Sequence, residues 1–336
     1  MRIAIVDDRI LALEAVRRVV TSVPTNVVIW TARDGDDAVQ KAAKEKPDLI
    51  LMDLIMPGVN GAEATKRIMA STPCPILIVT SSRSGNYGLV FDALGAGAID
   101  AVNTPSLGLD GSLQGGQELL DKIAQVGKKL KTTSASGTYT PLSLPAVKTG
   151  IPLIAIGAST GGPQAIAEVL SQFPSNFTGA VLIVQHLGAD FMTGLAEWIG
   201  HKSKIPVRVA VPGEKPTAGV ALLAGRNEHL VLRPDGTLAY TAYPSETPFR
   251  PNVDVMFDSL ASHWTHPGYA VLLTGMGRDG AEGLLKLRKA AWTTYAQDKA
   301  TSAVFGMPDA AAKLGGAIHV MSPPEIGRMI LAQVKR

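Results

Sequence analysis

The 336-residue sequence has one cysteine, Cys74, set between two prolines ahead of an apolar run. A lone thiol closes no internal disulfide and builds no metal site by itself, which fits a reducing cytosol. No apolar run approaches the roughly 18 residues needed to span a bilayer. The opening residues "MRIAIVDD" read as a strand and not as a signal peptide. The expectation is a cytoplasmic chain without membrane insertion. Strong charge of either sign is missing too. The net charge is +3 and spread along the chain, so it argues for neither a nucleic-acid nor a membrane partner. The short run Lys128, Lys129 and Lys131 reads as a solvated helix end.

What is present is apolar material, 46% of residues against 18% charged, enough for sizeable cores. The length favours two domains. In the first ~130 residues short apolar runs (3–6, 27–30, 49–52, 76–79 and 98–102) alternate with helical patterns (10–21, 36–45, 61–70, 86–96 and 114–130). Apolar strands separated by helices imply a parallel sheet covered on both faces. The texture then breaks at Thr132–Gly150, "TTSASGTYTPLSLPAVKTG", which has no acidic residue, many hydroxyls and two prolines. That composition suits a linker. Strand–helix alternation resumes at Ile151, with strands at 153–156, 181–185, 207–211, 270–274, 294–297 and 318–321. The stretch "GVALLAGRNEHLVLRPDGTLAY" alternates apolar and polar residues around Pro234-Asp235-Gly236 and adds a β-hairpin. The expected fold class is α/β, two doubly wound, mainly parallel-sheet domains, at 1–130 and 151–336, joined by a linker at 131–150.

Ligands of open α/β sheets sit at the carboxyl ends of strands. Here the first strand ends at Asp7-Asp8, the third at Asp53 and the fourth at Thr80-Ser81. Three converging carboxylates suit Mg²⁺, and one of them beside the metal suits attack on a phosphoryl donor. Solvated strand-end caps are the plain alternative. Together with "LIMP" after Asp53 and Gly61, these residues resemble a response-regulator receiver domain, flavodoxin-like in fold. The resemblance implies phosphorylation at Asp53, Mg²⁺ held by Asp7, Asp8 and Asp53, and sensing of the phosphoryl group by Thr80. One departure stands out. Receivers carry Lys-Pro after strand five, whereas "DAVNTPSLG" puts Thr104 there and Ala101 at the aromatic switch position. Losing a charge that pairs with phosphate predicts a weaker response to phosphorylation.

In the second half, "IAIGASTGGPQAI" places Ser159 between glycines where a strand meets a helix. Gly157-Ala158-Ser159-Thr160-Gly161 fits G-x-S-x-G, a nucleophile elbow, with Pro163 in the first helical turn. The amides after Ser159 would stabilise developing negative charge. A phosphate-binding loop would use the same amides, and a plain glycine turn is the third reading. Of the six histidines only His186, in "AVLIVQHLG", directly ends a parallel-type strand. His319 lies inside an apolar strand. Asp279, in "LLTGMGRDGAEG", follows another strand end, where capping its own helix is the competing role. Ser, His and Asp from three strand ends are what a triad requires, in an order unlike that of α/β-hydrolases.

The segments "IGASTGG", "VQHL", "RPNVDVMFDSLA", "LLTGMGRDGAEGL" and "AQDKATSAVFGMP" resemble the catalytic domain of chemotaxis-type protein-glutamate methylesterases. The resemblance implies hydrolysis of γ-glutamyl methyl esters, and deamidation of glutamine, on the cytoplasmic helices of chemoreceptors. It implies Ser159, His186 and Asp279 as the triad, the backbone amides of Met276 and Thr160 as oxyanion donors, and no cofactor in this half. Arg250, Asn252 and Asp254 are expected to line the cleft. The implied partners are methylated chemoreceptors and a chemotaxis-type histidine kinase as phosphoryl donor. The receiver is expected to cover the cleft until Asp53 is phosphorylated, with Thr80 and Thr104 as switch residues. The stretches "LMDLIMP", "TPCPILIVT" and "DAVNTPSLG" look like the branch serving surface-sensing pathways that control a diguanylate cyclase. A transcriptional regulator and a receiver-linked non-catalytic binding module are the alternatives. The second half offers no basic recognition helix, and its intact Ser, His and Asp speak against a mere scaffold.

Overall fold

A computed structural model of the chain describes residues 1–81, 87–107, 113–129, 150–247 and 249–334. The chain divides into two compact units, Met1–Ser136 and Gly137–Arg336. The linker, Gly150 apart, lies outside the described residues, as do the side chains of Lys128, Lys129 and Lys131.

The first unit alternates β1 (Arg2–Val6), α1 (Ile10–Thr21), β2 (Val27–Ala32), α2 (Gly35–Lys44), β3 (Leu49–Met52), α3 (Gly61–Ser71), β4 (Ile76–Thr80), α4 (Tyr87–Gly95), β5 (Asp100–Asn103) and α5 (Gly116–Lys129). Between β5 and α5 lies a short antiparallel pair, β6 (Ser106–Leu107) and β7 (Leu113–Gln114), which the apolar pattern does not disclose. The parallel sheet runs β2-β1-β3-β4-β5, so the direction of winding switches beside β1 and β3. Polar caps start α2 and α3. The side chains of Asp34 and Asn60 accept the amides of Asp37 and Glu63. Gly61 is needed for packing, since a Cβ there would stand 2.0 Å from the Asp53 carbonyl oxygen. Ile3, Ile5, Leu49, Leu51, Leu77 and Val102 bury one face of the sheet against α1 and α5.

The second unit contains β8 (Leu153–Ala158), α6 (Gly162–Leu170), β9 (Ala180–Gln185), α7 (Met192–Lys202), β10 (Val207–Val209), β11 (Ala221–Leu223), β12 (His229–Leu232), β13 (Leu238–Thr241), α8 (Val253–His263), β14 (Gly268–Leu272), α9 (Ala281–Lys289), β15 (Thr293–Gln297), α10 (Met307–Lys313), β16 (His319–Met321) and α11 (Pro323–Val334). Seven parallel strands run β10-β11-β9-β8-β14-β15-β16. The expected hairpin is β12 with β13. One element departs from the sequence pattern: Ala221–Leu223, read as part of the hairpin, is a buried strand of the main sheet between β10 and β9. Every residue of β8 and β9 is buried, as a sheet covered on both faces demands. The chain leaves β8 toward β9 on one side and returns at β14 on the other, which makes the end of β8 the switch point. Among the described residues no helix is long and apolar enough to cross a membrane.

Candidate active site and receiver pocket

Ser159 follows the switch-point strand. β8 pairs with β9 through Ala158 and Gln185, so Ser159 and His186 are the next positions on adjacent parallel strands, roughly 5 Å apart by strand spacing. The His186 amide donates to the Ala158 carbonyl (3.0 Å), and the Ser159 amide donates to that of Thr274 (3.0 Å). The turn tolerates only small residues. Gly161 has φ +76°, and a Cβ on it would lie 2.5 Å from that of Ala303. A Cβ on Gly157 would strike Val253 at 2.3 Å, and one on Gly162 would meet Gln185 Oε1 at 1.9 Å. Gln185 donates to the Ser159 carbonyl (2.8 Å), a clamp on the turn that the sequence does not announce.

The His186 ring is buried, and its Nε2 lies 2.7 Å from Asp279 Oδ2. Its Nδ1 has no partner among the described residues. A carboxylate can only accept, so Nε2 carries the proton and Nδ1 is the free base. Phe249 stacks on the ring with centroids 4.4 Å apart and fixes its plane. Asp279 also accepts the amides of Val253 (2.7 Å) and Asp254 (3.0 Å), which open α8. Burial on its own would raise the pKa of this carboxyl. The His186 hydrogen bond, the charge of that ring when protonated, and the two amides outweigh burial and hold it below its ordinary value. Asp279 does not cap its own helix: Gly280 stands at that position, and the carboxylate reaches across to α8.

Two loops flank Ser159. Thr274 Oγ1 donates to the Thr160 carbonyl (2.8 Å) and accepts the Val304 amide (2.9 Å). A Cβ on Gly275 would lie 2.7 Å from that of Ser159. Met276, next in line, thus sits beside the serine, and its loop is pinned where the Gly275 carbonyl accepts the amides of Gly306 and Met307. Of the expected cleft residues, Asn252 and Asp254 hold the loop together. Asn252 caps α8 at Val255, and Asp254 accepts the Gly283 amide at 2.6 Å. Burial and the neighbouring Asp279 push the Asp254 carboxyl up to about 6. Arg250 is exposed and donates to the Ser245 carbonyl. His229, fully buried, ties the Asn252 amide to the Pro244 carbonyl. His319 stacks on Tyr295, away from the triad strands.

In the first unit Asp7, Asp8 and Asp53 gather at the ends of β1 and β3, with one oxygen from each within 4.8 Å of the others. Asp8 Oδ1, Asp53 Oδ2, Thr80 Oγ1 and Thr104 Oγ1 are buried atoms without a partner among the described residues. Burial, then the charge of Asp7, push the Asp53 carboxyl up to about 6 against the pull of Arg9. Asp7 is raised by burial as well, and Arg9 again opposes the shift. Thr80 and Thr104 are neighbours, the Thr104 amide donating to the Thr80 carbonyl (3.1 Å). Ala101 is buried. Orphaned carboxylate oxygens at this spacing fit a small hard cation.

Both units match known families. The CheB methylesterase family model matches residues 154–330, and that of the response regulator receiver domain matches 3–106. A Burkholderia orbicola protein named protein-glutamate methylesterase/protein-glutamine glutaminase 3 is 48% identical over 336 residues, 99% of this chain and 98% of its own. A similarly named protein of Pseudomonas syringae pv. tomato is 47% identical over 95% of both chains. The Thermotoga maritima CheB methylesterase catalytic domain is 31% identical with TM-score 0.52, covering 56% of this chain and all of that domain.

Proposed function

The chain belongs to the CheB methylesterase family, and we propose that Ser159, His186 and Asp279 carry its chemistry. It is a protein-glutamate methylesterase and protein-glutamine glutaminase regulated by its receiver domain. The reading of the site rests above all on the buried His186–Asp279 bond, which leaves Nδ1 free beside the strand-register neighbour Ser159.

The Ser159 hydroxyl attacks the γ-carbonyl carbon of a methylated glutamate while His186 Nδ1 takes its proton. Asp279 keeps Nε2 protonated and stabilises the imidazolium as it forms. The amides of Thr160 and Met276 make no hydrogen bond among the described residues, and they offer donors to the developing oxyanion. The carbon–oxygen bond to methoxide breaks as His186 returns the proton, and methanol leaves. Water then attacks the acyl-enzyme by the same proton route and releases glutamate. With glutamine as substrate the leaving molecule is ammonia. Substrate side chains on chemoreceptor cytoplasmic helices, and a chemotaxis-type histidine kinase as phosphoryl donor, complete the proposal. The surface-sensing assignment rests only on the three stretches quoted for it.

In the receiver, Asp7, Asp8 and Asp53 would hold Mg²⁺, whose charge when bound neutralises a phosphoryl group arriving on Asp53. Methanol release from methylated receptor, with and without acetyl phosphate, tests the whole reading. Wild type should release methanol, faster with the donor, and Ser159→Ala should not. Methanol release by Ser159→Ala at a tenth of the wild-type rate or more would assign the nucleophile elsewhere.

A further inference from the structure

The receiver pocket has the acidic cluster but, in Thr104, no charge where relatives of the fold place a lysine. A cation nevertheless reaches it from the opposite side. Arg9, just beyond β1, brings Nε to 3.4 Å from Asp7 Oδ1 and Nη2 to 3.9 Å from Asp53 Oδ1. Its Nη1 donates to Ser81 Oγ, just beyond β4, at 2.8 Å. Its own amide donates to Asp7 Oδ1 at 2.9 Å. Since β1, β3 and β4 are consecutive in the sheet, the guanidinium spans three strand ends and lies across Asp53. Among the described residues Arg33 donates to the backbone carbonyl of Asp8 and Lys122 pairs with Asp100, while Arg9 is the cation that reaches Asp53. Arg9 leaves Asp53 Oδ2 without a partner among the described residues, along with the hydroxyls of Thr80 and Thr104. Asp53 and Thr80 are 2% and 1% exposed, so these oxygens lack solvent as well as a partner among the described residues.

We propose that Arg9 is the phosphoryl-binding cation of this receiver, supplying from the end of β1 the charge that Thr104 lacks. In the transfer step Asp53 Oδ2 forms a bond to phosphorus. The bond from phosphorus to the donor's carboxylate oxygen, or to the imidazole nitrogen of a phosphohistidine, breaks and its electron pair leaves with the donor. A planar guanidinium binds two equatorial oxygens at once, a geometry a lysine cannot match. Ser81 holds Arg9 ready beside the pocket. The response weakening expected from Thr104 is thereby offset.

The proposal rests on Asp53 being the phosphorylated residue, and the test separates the two. Full-length protein is phosphorylated with radiolabelled acetyl phosphate at saturating Mg²⁺, and beryllofluoride affinity is measured in parallel without turnover. Asp53→Asn should take no label; label on it equal to wild type would overturn both readings. Arg9→Ala should slow phosphorylation and weaken beryllofluoride binding by about ten- to a hundredfold, the range for a lost charged hydrogen bond. Arg9→Lys should recover part of that loss. Thr104→Lys should restore an Arg9→Ala background while changing wild type by less than about threefold. If wild type takes label on Asp53 and Arg9→Ala stays within about twofold of it, or if Thr104→Lys alone accelerates wild type tenfold, Arg9 is not the phosphoryl ligand and only this proposal falls.

Discussion

Asp279 and Asp53 are both buried carboxylates at the carboxyl ends of parallel strands, and burial raises both. They end on opposite sides of the ordinary value. Asp279 is surrounded by donors: His186 and two amides of α8. Asp53 faces Asp7 and keeps one oxygen orphaned. The catalytic carboxylate is thus satisfied by the protein alone, whereas the receiver carboxylate is built to gain ligands. Preorganisation suits a group that must hold one histidine tautomer through every turnover. Unspent electrostatic tension suits a group that must change state.

The largest effect that would break this contrast is loss of the triad as a unit. Ser159→Ala and the Ser159→Ala/His186→Ala pair should each lower kcat on the order of 10⁴-fold or more, with no further loss in the double variant. Additive losses in methanol-release kinetics would mean the two residues act separately. Next, the same substitution should act oppositely in the two halves. Asp279→Asn should cost about 10³- to 10⁴-fold in kcat, since the wrong tautomer is favoured. It should also lower unfolding stability by about 1–3 kcal/mol through its deserted donors. Asp53→Asn should raise stability by about 1–2 kcal/mol in metal-free buffer near neutral pH. Added Mg²⁺ should stabilise wild type but not Asp53→Asn. Equal signs in denaturant titrations would erase the distinction.

The smallest effect concerns Asp254, a carboxyl beside Asp279 that has gained fewer donors. Its folded value of about 6 lies above the ordinary 3.8, so ionising it costs the folded state. Stability linked to this group is complete below the lower value and is lost as pH rises through the upper one. Asp254→Asn should therefore match wild type near pH 3.5 and become more stable by about 1–2 kcal/mol by pH 7. A constant difference across the range would show that Asp254 does not titrate there.

Local pattern made much of this legible. Apolar runs bounded by glycine and polar caps disclosed the two parallel sheets, and position after a strand singled out Ser159, His186 and Asp53. What stayed hidden depends on register between distant segments. Ala221–Leu223 is too short and too close to the hairpin for its apolar pattern to assign it to the main sheet. For Asp279 a cap of its own helix competed with the triad role, because nothing local says that β14 delivers it to the amides of α8. Asn252 and Asp254 share a motif with exposed Arg250, but a helix start turns them inward to scaffolding bonds. Arg9 follows two aspartates in sequence, and only the order β1-β3-β4 brings its guanidinium to Asp53.

The central claim is that His186 Nδ1, freed by the Asp279 bond, activates Ser159. Intact-protein and peptide mass spectrometry after treatment with a fluorophosphonate test it directly. A single adduct on Ser159 should form in wild type, with labelling slowed by orders of magnitude in His186→Ala and unchanged in Asp53→Asn treated without a phosphoryl donor. An adduct on another residue, or Ser159 labelling at the wild-type rate in His186→Ala, would contradict the claim.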